Sequence, residues 1–146
     1  RSESPYFGTI AKADICIEVG PQAHGTLVAS LFETTEKVVL RYLELAEEFN
    51  QGVLQKKPRR SVEIFTQWKD LDYPRDSFGN ISAMIHPDFQ AADFSELKEE
   101  DNIFRTFDGK NISYRGETVY PLFVNEAAYY EKKIAMSLTK KSLENW

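Results

Sequence analysis

Ile15-Cys16-Ile17-Glu18-Val19-Gly20-Pro21 decides how the rest of the chain is read. A short run rich in β-branched residues that ends on Gly-Pro is a strand closed by a turn. From Gly25 the period changes. Leu27, Leu31, Val38, Tyr42, Leu45 and Phe49 recur at spacings of three, four or seven, which paints one apolar face on a long helix. Glu33, Glu36, Arg41, Glu44, Glu47 and Glu48 fall mostly off that stripe, and Asn50-Gln51-Gly52 supplies the stop. A strand running through a turn into an amphipathic helix is half of a βαβ unit, which needs neighbouring parallel strands. Residues 1–52 offer one good strand, so the remainder of that sheet is expected from other polypeptide. The opening Arg1-Ser2-Glu3-Ser4, without an initiator Met or a signal-peptide apolar stretch, points the same way.

Outward from the helix, Gly52-Val53-Leu54-Gln55-Lys56-Lys57-Pro58-Arg59-Arg60 is polar, with Gly, Pro and four basic residues. It reads as a linker between two differently built segments, 1–52 and 53–146. A nucleic-acid patch is disfavoured, because no aromatics interleave the basic residues. In the second segment Val62, Ile64, Thr66 and Trp68 share one parity, as do Ile81, Ala83 and Ile85. Asp72-Tyr73-Pro74-Arg75-Asp76 and Phe78-Gly79-Asn80 are turn material. The Asp-Gly pair in Phe107-Asp108-Gly109-Lys110 signals a hairpin. Thr118 to Val124 is an apolar run interrupted by Pro121, hence an edge strand or a bulge. Ile134, Met136 and Leu138 alternate near the end. This segment is expected to be a small β-rich domain with little helix.

Composition bounds the function. The chain has 146 residues, 18 Lys plus Arg against 23 Asp plus Glu, and is 42% hydrophobic. That is enough for a core, and a net charge of -5 argues against a dedicated nucleic-acid binder. No run approaches the roughly 18 apolar residues of a membrane span. A lone cysteine, Cys16, excludes an internal disulfide framework and fits a reducing, cytoplasmic setting.

Glu18 is the first candidate for chemistry. On a strand, Ile15, Ile17 and Val19 point one way, and Asp14, Cys16 and Glu18 the other. Glu18 would then be a carboxylate among apolar neighbours at the carboxyl end of a strand, where ligands collect in open α/β sheets. Partial burial would raise its pKa towards the range of a general acid or base. The bland alternative is a carboxylate paired with a nearby cation, or an exposed edge. His24 and His86 make a poor metal pair: some sixty residues separate them, and no ligand spacing accompanies either. There is no G-x-S-x-G, no G-x-G-x-x-G and no Walker A loop. Asn80-Ile81-Ser82 and Asn111-Ile112-Ser113 match the glycosylation sequon by chance. The most unusual stretch is Val119 to Lys133, in which Tyr120, Tyr129 and Tyr130 cluster with Glu126. Tyr hydroxyls can donate to substrate carboxylates or oxyanions while their rings pack; a core-and-rim role fits the spacing equally well.

Ile17-Glu18-Val19-Gly20-Pro21-Gln22, the helix after it, Asp72-Tyr73-Pro74-Arg75-Asp76, Ile85-His86-Pro87, Phe107-Asp108-Gly109-Lys110 and the run Val119 to Lys133, with its Val124-Asn125-Glu126-Ala127-Ala128-Tyr129-Tyr130-Glu131-Lys132-Lys133, together resemble aspartoacylase. This family of zinc deacylases is related to succinylglutamate desuccinylase and, in fold, to zinc carboxypeptidases. The likeness extends over nearly the whole chain but covers only the C-terminal half of such an enzyme.

The resemblance implies a mixed α/β and β-rich fold. Residues 1–52 would end a zinc-carboxypeptidase-like α/β domain, and residues 53–146 would form a β-rich domain capping its active site. It implies zinc-dependent hydrolysis of the amide of small N-acyl amino acids of the N-acetylaspartate type. Glu18 would be the general acid/base and a contact to substrate, Tyr129 would bind substrate, and Gln22 and Glu126 would support them. One Zn2+ per complete enzyme is implied, with a His-x-x-Glu pair and a later His in the N-terminal half. This chain holds none of those ligands, so alone it is expected to be inactive and to need that half as its partner. A homo-oligomer is compatible with the reading; nucleic-acid and membrane partners are not expected. A family arginine shortly before Ile10-Ala11-Lys12 is replaced near Phe7-Gly8-Thr9, which bears on the preference for an acidic substrate. Two rivals stand beside this reading: a deacylase for a different N-acyl amino acid, and a non-enzymatic interaction module lacking the metal half.

Overall fold

The protein is described here from a computed structural model, which defines residues 15–18 and 22–145. Of the strand expected at Ile15–Val19, Val19 lies outside the described residues, as do Asp14, Gly20, Pro21 and the Phe7-Gly8-Thr9 region. Ile15–Glu18 form no strand. A strand exists only through its ladder, and none of the described strands pairs with this segment.

The chain divides into two compact units, residues 1–58 and residues 59–146. In the first, helix α1 spans Ala29–Asn50, beginning two residues later than the stripe starting at Leu27 suggested. Its first turn lacks a side-chain cap. Its end is well made: Val53 N–H donates to Glu48 O at 2.9 Å and Gly52 N–H to Phe49 O at 3.0 Å, with Gly52 at φ +69°. This is the paired closure in which glycine takes the left-handed position without a Cβ penalty. A 3-10 turn follows at Leu54–Lys56, and Lys57 Nζ reaches back to Glu48 at 2.6 Å. Residues 53–58 therefore belong with the helix, and the division falls later than Gly52. None of α1 is buried; Phe32, Leu40, Leu43 and Phe49 are all more than half exposed.

The second unit is built of two three-stranded antiparallel sheets. Strand β1, Ser61–Leu71, β5, Tyr120–Leu122, and β6, Met136–Asn145, make one, in the order β1-β6-β5. Strand β2, Ala83–Ile85, β3, Asn102–Thr106, and β4, Asn111–Ser113, make the other, in the order β2-β3-β4. The β1–β6 register shifts between Gln67 and Lys69. At this bulge the ammonium groups of Lys69 and Lys140 each lie 4.3 Å from the Trp68 ring centroid. The hairpin expected at Phe107–Lys110 joins β3 to β4, with Thr106 N–H donating to Lys110 O at 2.8 Å and Gly109 at φ +87°. Pro121 falls, as anticipated, on a short edge strand. Its carbonyl accepts from Phe94 N–H at 2.7 Å, and Leu97 and Val119 exchange two backbone hydrogen bonds alongside.

Leu97, Val119, Met136 and Leu138 are fully buried and centre the core, with Ile85, Phe89, Ile103, Phe104 and Tyr114 around them. The alternation read at Ile134, Met136 and Leu138 captures one face only. Met136, Ser137, Leu138 and Thr139 are all buried, because β6 lies between two strands and is covered on both faces there. The two hydroxyls are satisfied: Ser137 Oγ donates to Asp70 and Thr139 Oγ1 to Tyr120 O, both at 2.7 Å. No α-helix occurs among the described residues of this unit. No helix of the described chain is long and apolar enough to cross a membrane.

Candidate functional site

The two units carry different parts of the residue set picked out by sequence. In the first, Glu18 is exposed on irregular backbone. The partial burial expected of it is not seen, and none of the described strands pairs with its segment. Six residues on, the chain turns through His24-Gly25, with Gly25 at φ +76°. Gln22 spans this turn, its Nε2 donating to Thr26 O at 2.5 Å and Thr26 Oγ1 at 3.1 Å. Thr26 Oγ1 in turn donates to Ala23 O at 2.7 Å. An open, mostly apolar groove of about 480 Å³ runs from Gln22 and Thr26 past Leu27 to Leu31 and Phe32, within the size range of small-molecule clefts.

The second unit carries Tyr129 and Glu126. After β5 the chain takes left-handed backbone at Phe123 (φ +56°) and Asn125 (φ +60°), and again at Lys133 (φ +60°) before β6. Left-handed conformations cost a non-glycine residue free energy and persist only where the surroundings impose them, often at functional sites. Here the surroundings are visible. Val124 N–H donates to Asp93 Oδ1 at 3.1 Å, Asn125 N–H to Ala135 O at 2.9 Å, and Ala135 N–H to Leu71 O at 2.7 Å. Between these anchors Ala127–Tyr129 make a 3-10 turn headed by the exposed Glu126. Tyr129 is half-buried. Its ring meets Phe123 edge-on at 5.6 Å, and Lys132 Nζ lies 5.3 Å from its centroid.

Against this loop stands the turn after β1. Arg75 grips Asp72 with two hydrogen bonds, Nε to Oδ2 at 2.7 Å and Nη2 to Oδ1 at 3.0 Å, and donates from Nη1 to Gly79 O at 2.8 Å. The guanidinium holds the Asp72 carboxyl below the usual carboxylate range, with the Tyr73 N–H and Lys133 adding to it. Tyr73 packs its ring 6.1 Å from Phe104. Burial, with Asp72 beside it, raises its hydroxyl pKa. That hydroxyl donates to Asn125 Oδ1 at 2.5 Å. Sequence reading treated Asp72–Asp76 as turn material and so missed Tyr73 and Asn125 as partners. The one available signal was their presence in two of the segments that carry the family resemblance.

Metal ligation is not found here. Among the described residues no three His, Cys, Asp or Glu side chains converge to hold an ion. His86 is a buried cap whose Nδ1 accepts from Asp88 N–H at 3.3 Å, and His24 is exposed in a turn of the other unit. The described residues therefore do not fit a zinc site by themselves.

Residues 60–141 match the AstE/AspA barrel-sandwich hybrid domain. The chain belongs to this family. It is 46% identical to a probable aspartoacylase of Trichodesmium erythraeum, over 95% of the chain and 47% of the relative. The aspartoacylase of Danio rerio is 43% identical, over 92% of the chain and 42% of that protein. The N-acyl-aromatic-L-amino acid amidohydrolase (carboxylate-forming) of Mus musculus is 39% identical, over 91% and 42%. In structure, the chain matches the crystal structure of murine aminoacylase 3 with a TM-score of 0.84 and 36% identity, over 94% of this chain and 45% of that one. The mixed fold with a β-rich second part is thus the AstE/AspA fold. The chain spans about half the length of the curated relatives it matches.

Proposed function

We propose that this AstE/AspA chain is the C-terminal part of an enzyme that hydrolyses the amide bond of small N-acyl amino acids. One observation carries the reading: relatives 38–46% identical across nine-tenths of the chain are named aspartoacylase or N-acyl-aromatic-L-amino acid amidohydrolase. Residues 1–58 contribute to the catalytic domain and residues 59–146 to a β-rich cap over its site. Glu18 acts as the general acid/base. It takes a proton from water as the water oxygen bonds to the acyl carbon, then delivers that proton to the amine nitrogen as the C–N bond breaks. A carboxylate and a free amino acid result. Tyr129, on a turn fixed at both ends, donates its hydroxyl to the substrate, with Gln22 and Glu126 in support. The zinc that the family resemblance implies is assigned to polypeptide outside this chain.

Glu18→Gln in the full-length protein tests the assignment. It keeps size and hydrogen bonding but cannot accept a proton, so turnover should fall by about a hundredfold or more while KM changes little. Near-normal turnover of N-acetylaspartate and of N-acetyl aromatic amino acids by this variant would remove Glu18 from the reaction. The same panel on the unaltered protein separates an acidic from an aromatic preference. The closer identity to aspartoacylases than to the mouse and rat aromatic amidohydrolases favours the acidic substrate.

A further inference from the structure

The loop bearing Tyr129 leaves the body of its unit at Asn125 and returns at Ala135, and one backbone hydrogen bond between these two residues closes it. Asn125 is held in left-handed backbone at φ +60°, which asparagine tolerates better than most residues but does not adopt for nothing. Besides the backbone bond to Ala135, its side chain holds it. Oδ1 accepts the Tyr73 hydroxyl proton at 2.5 Å, and Nδ2 donates to Gln90 Oε1 at 3.4 Å. An amide engaged at both its acceptor and its donor has its plane fixed, and with it the direction the chain takes on leaving Asn125. Tyr73 is a firm support, since its ring packs on Phe104 and its backbone N–H donates to Asp72, the partner of Arg75. Residues 125–128, the path from Asn125 to Tyr129, are all exposed, so no burial along that path corrects an error made at its start.

We propose that Asn125 and Tyr73 are positioning residues that set the reach of the Tyr129 hydroxyl towards the acyl amino acid. This rests on the reading of Tyr129 as a substrate-binding residue. A substrate-contacting group that is displaced makes a weaker contact, so a latch 52 residues away in sequence has kinetic consequences without touching substrate.

The test uses the full-length protein with Tyr73→Phe, which removes the hydroxyl and keeps the ring, and Asn125→Gly, which removes the amide and keeps left-handed backbone accessible. Each is also combined with Tyr129→Phe. Hydrogen exchange at the Asn125 and Ala135 amides should quicken by about tenfold in both single variants. KM for the N-acyl amino acid should rise by about fivefold with kcat within about twofold. Neither latch substitution should add to the effect of Tyr129→Phe, as expected for residues acting through one another. Unchanged exchange at these amides overturns the latch, whatever the kinetics. Faster exchange with kinetic effects that add to those of Tyr129→Phe overturns action through Tyr129. Kinetics untouched by Tyr129→Phe alone overturn the reading of Tyr129 itself, and the positioning role falls with it.

Discussion

Helix α1 has no buried residue along its 22 positions, whereas strand β6 buries four in succession. Both carry apolar side chains at the right period for their own secondary structure. The strand finds neighbours on either side and a core beneath it; the helix has an apolar stripe and nothing described that covers it. Periodicity therefore predicts which face wants burial, and only the rest of the fold decides whether it is buried. The candidate residues divide likewise, with the proposed proton-transfer group, Glu18, in the helical unit and the proposed binding group, Tyr129, in the β-rich one.

Truncation breaks or sharpens this contrast most. Leu138→Ala, at a fully buried position, should cost roughly 2–5 kcal/mol in denaturant unfolding of this chain. Leu43→Ala, at a position 58% exposed, should stay within about 0.5 kcal/mol. Equal losses would mean that α1 is covered after all. The chemical counterpart sets Glu18→Gln, expected to act on turnover, against Tyr129→Phe. The latter should lower kcat/KM by an amount equivalent to about 1–3 kcal/mol, the value of an unmade hydrogen bond. If Tyr129→Phe instead abolished turnover and Glu18→Gln only weakened binding, the proposed division of labour would be overturned.

The smallest effect concerns acid. Lys110, then Thr106, lower the Asp108 pKa from its ordinary 3.8 to about 2. A depressed carboxyl contributes stability above its unfolded value and loses it as pH falls through the folded one. Asp108 is an exposed hairpin residue, so its share is slight. Asp108→Asn should flatten the pH dependence of the unfolding midpoint between pH ~4 and pH ~2 and leave it unchanged near neutrality. A steeper dependence in the variant would contradict this pairing.

What sequence reveals here follows from range. The helix with its stop at Gly52, the Asp-Gly hairpin and the edge strand at Pro121 depend on neighbours a few residues away, and each stands where local chemistry places it. The strand at Ile15–Glu18 fails because a ladder is a property of two strands, and its partner is not among those described. Left-handed backbone at Phe123 and Lys133 carries no glycine signature, so nothing local announces it. Tyr129 is a candidate only through family resemblance. The Tyr73–Asn125 contact is not visible at all, because a hydrogen bond between residues so distant in sequence leaves no periodic trace.

The proline of β5 has a wider consequence. With no N–H at Pro121, and with Phe94, Leu97 and Val119 sharing the remaining bonds along that border, little is left there to recruit a foreign strand. The opposite border, β1, is interrupted by the irregularity at Trp68, flanked by lysines. A sheet terminated in these two ways resists fibril-like growth.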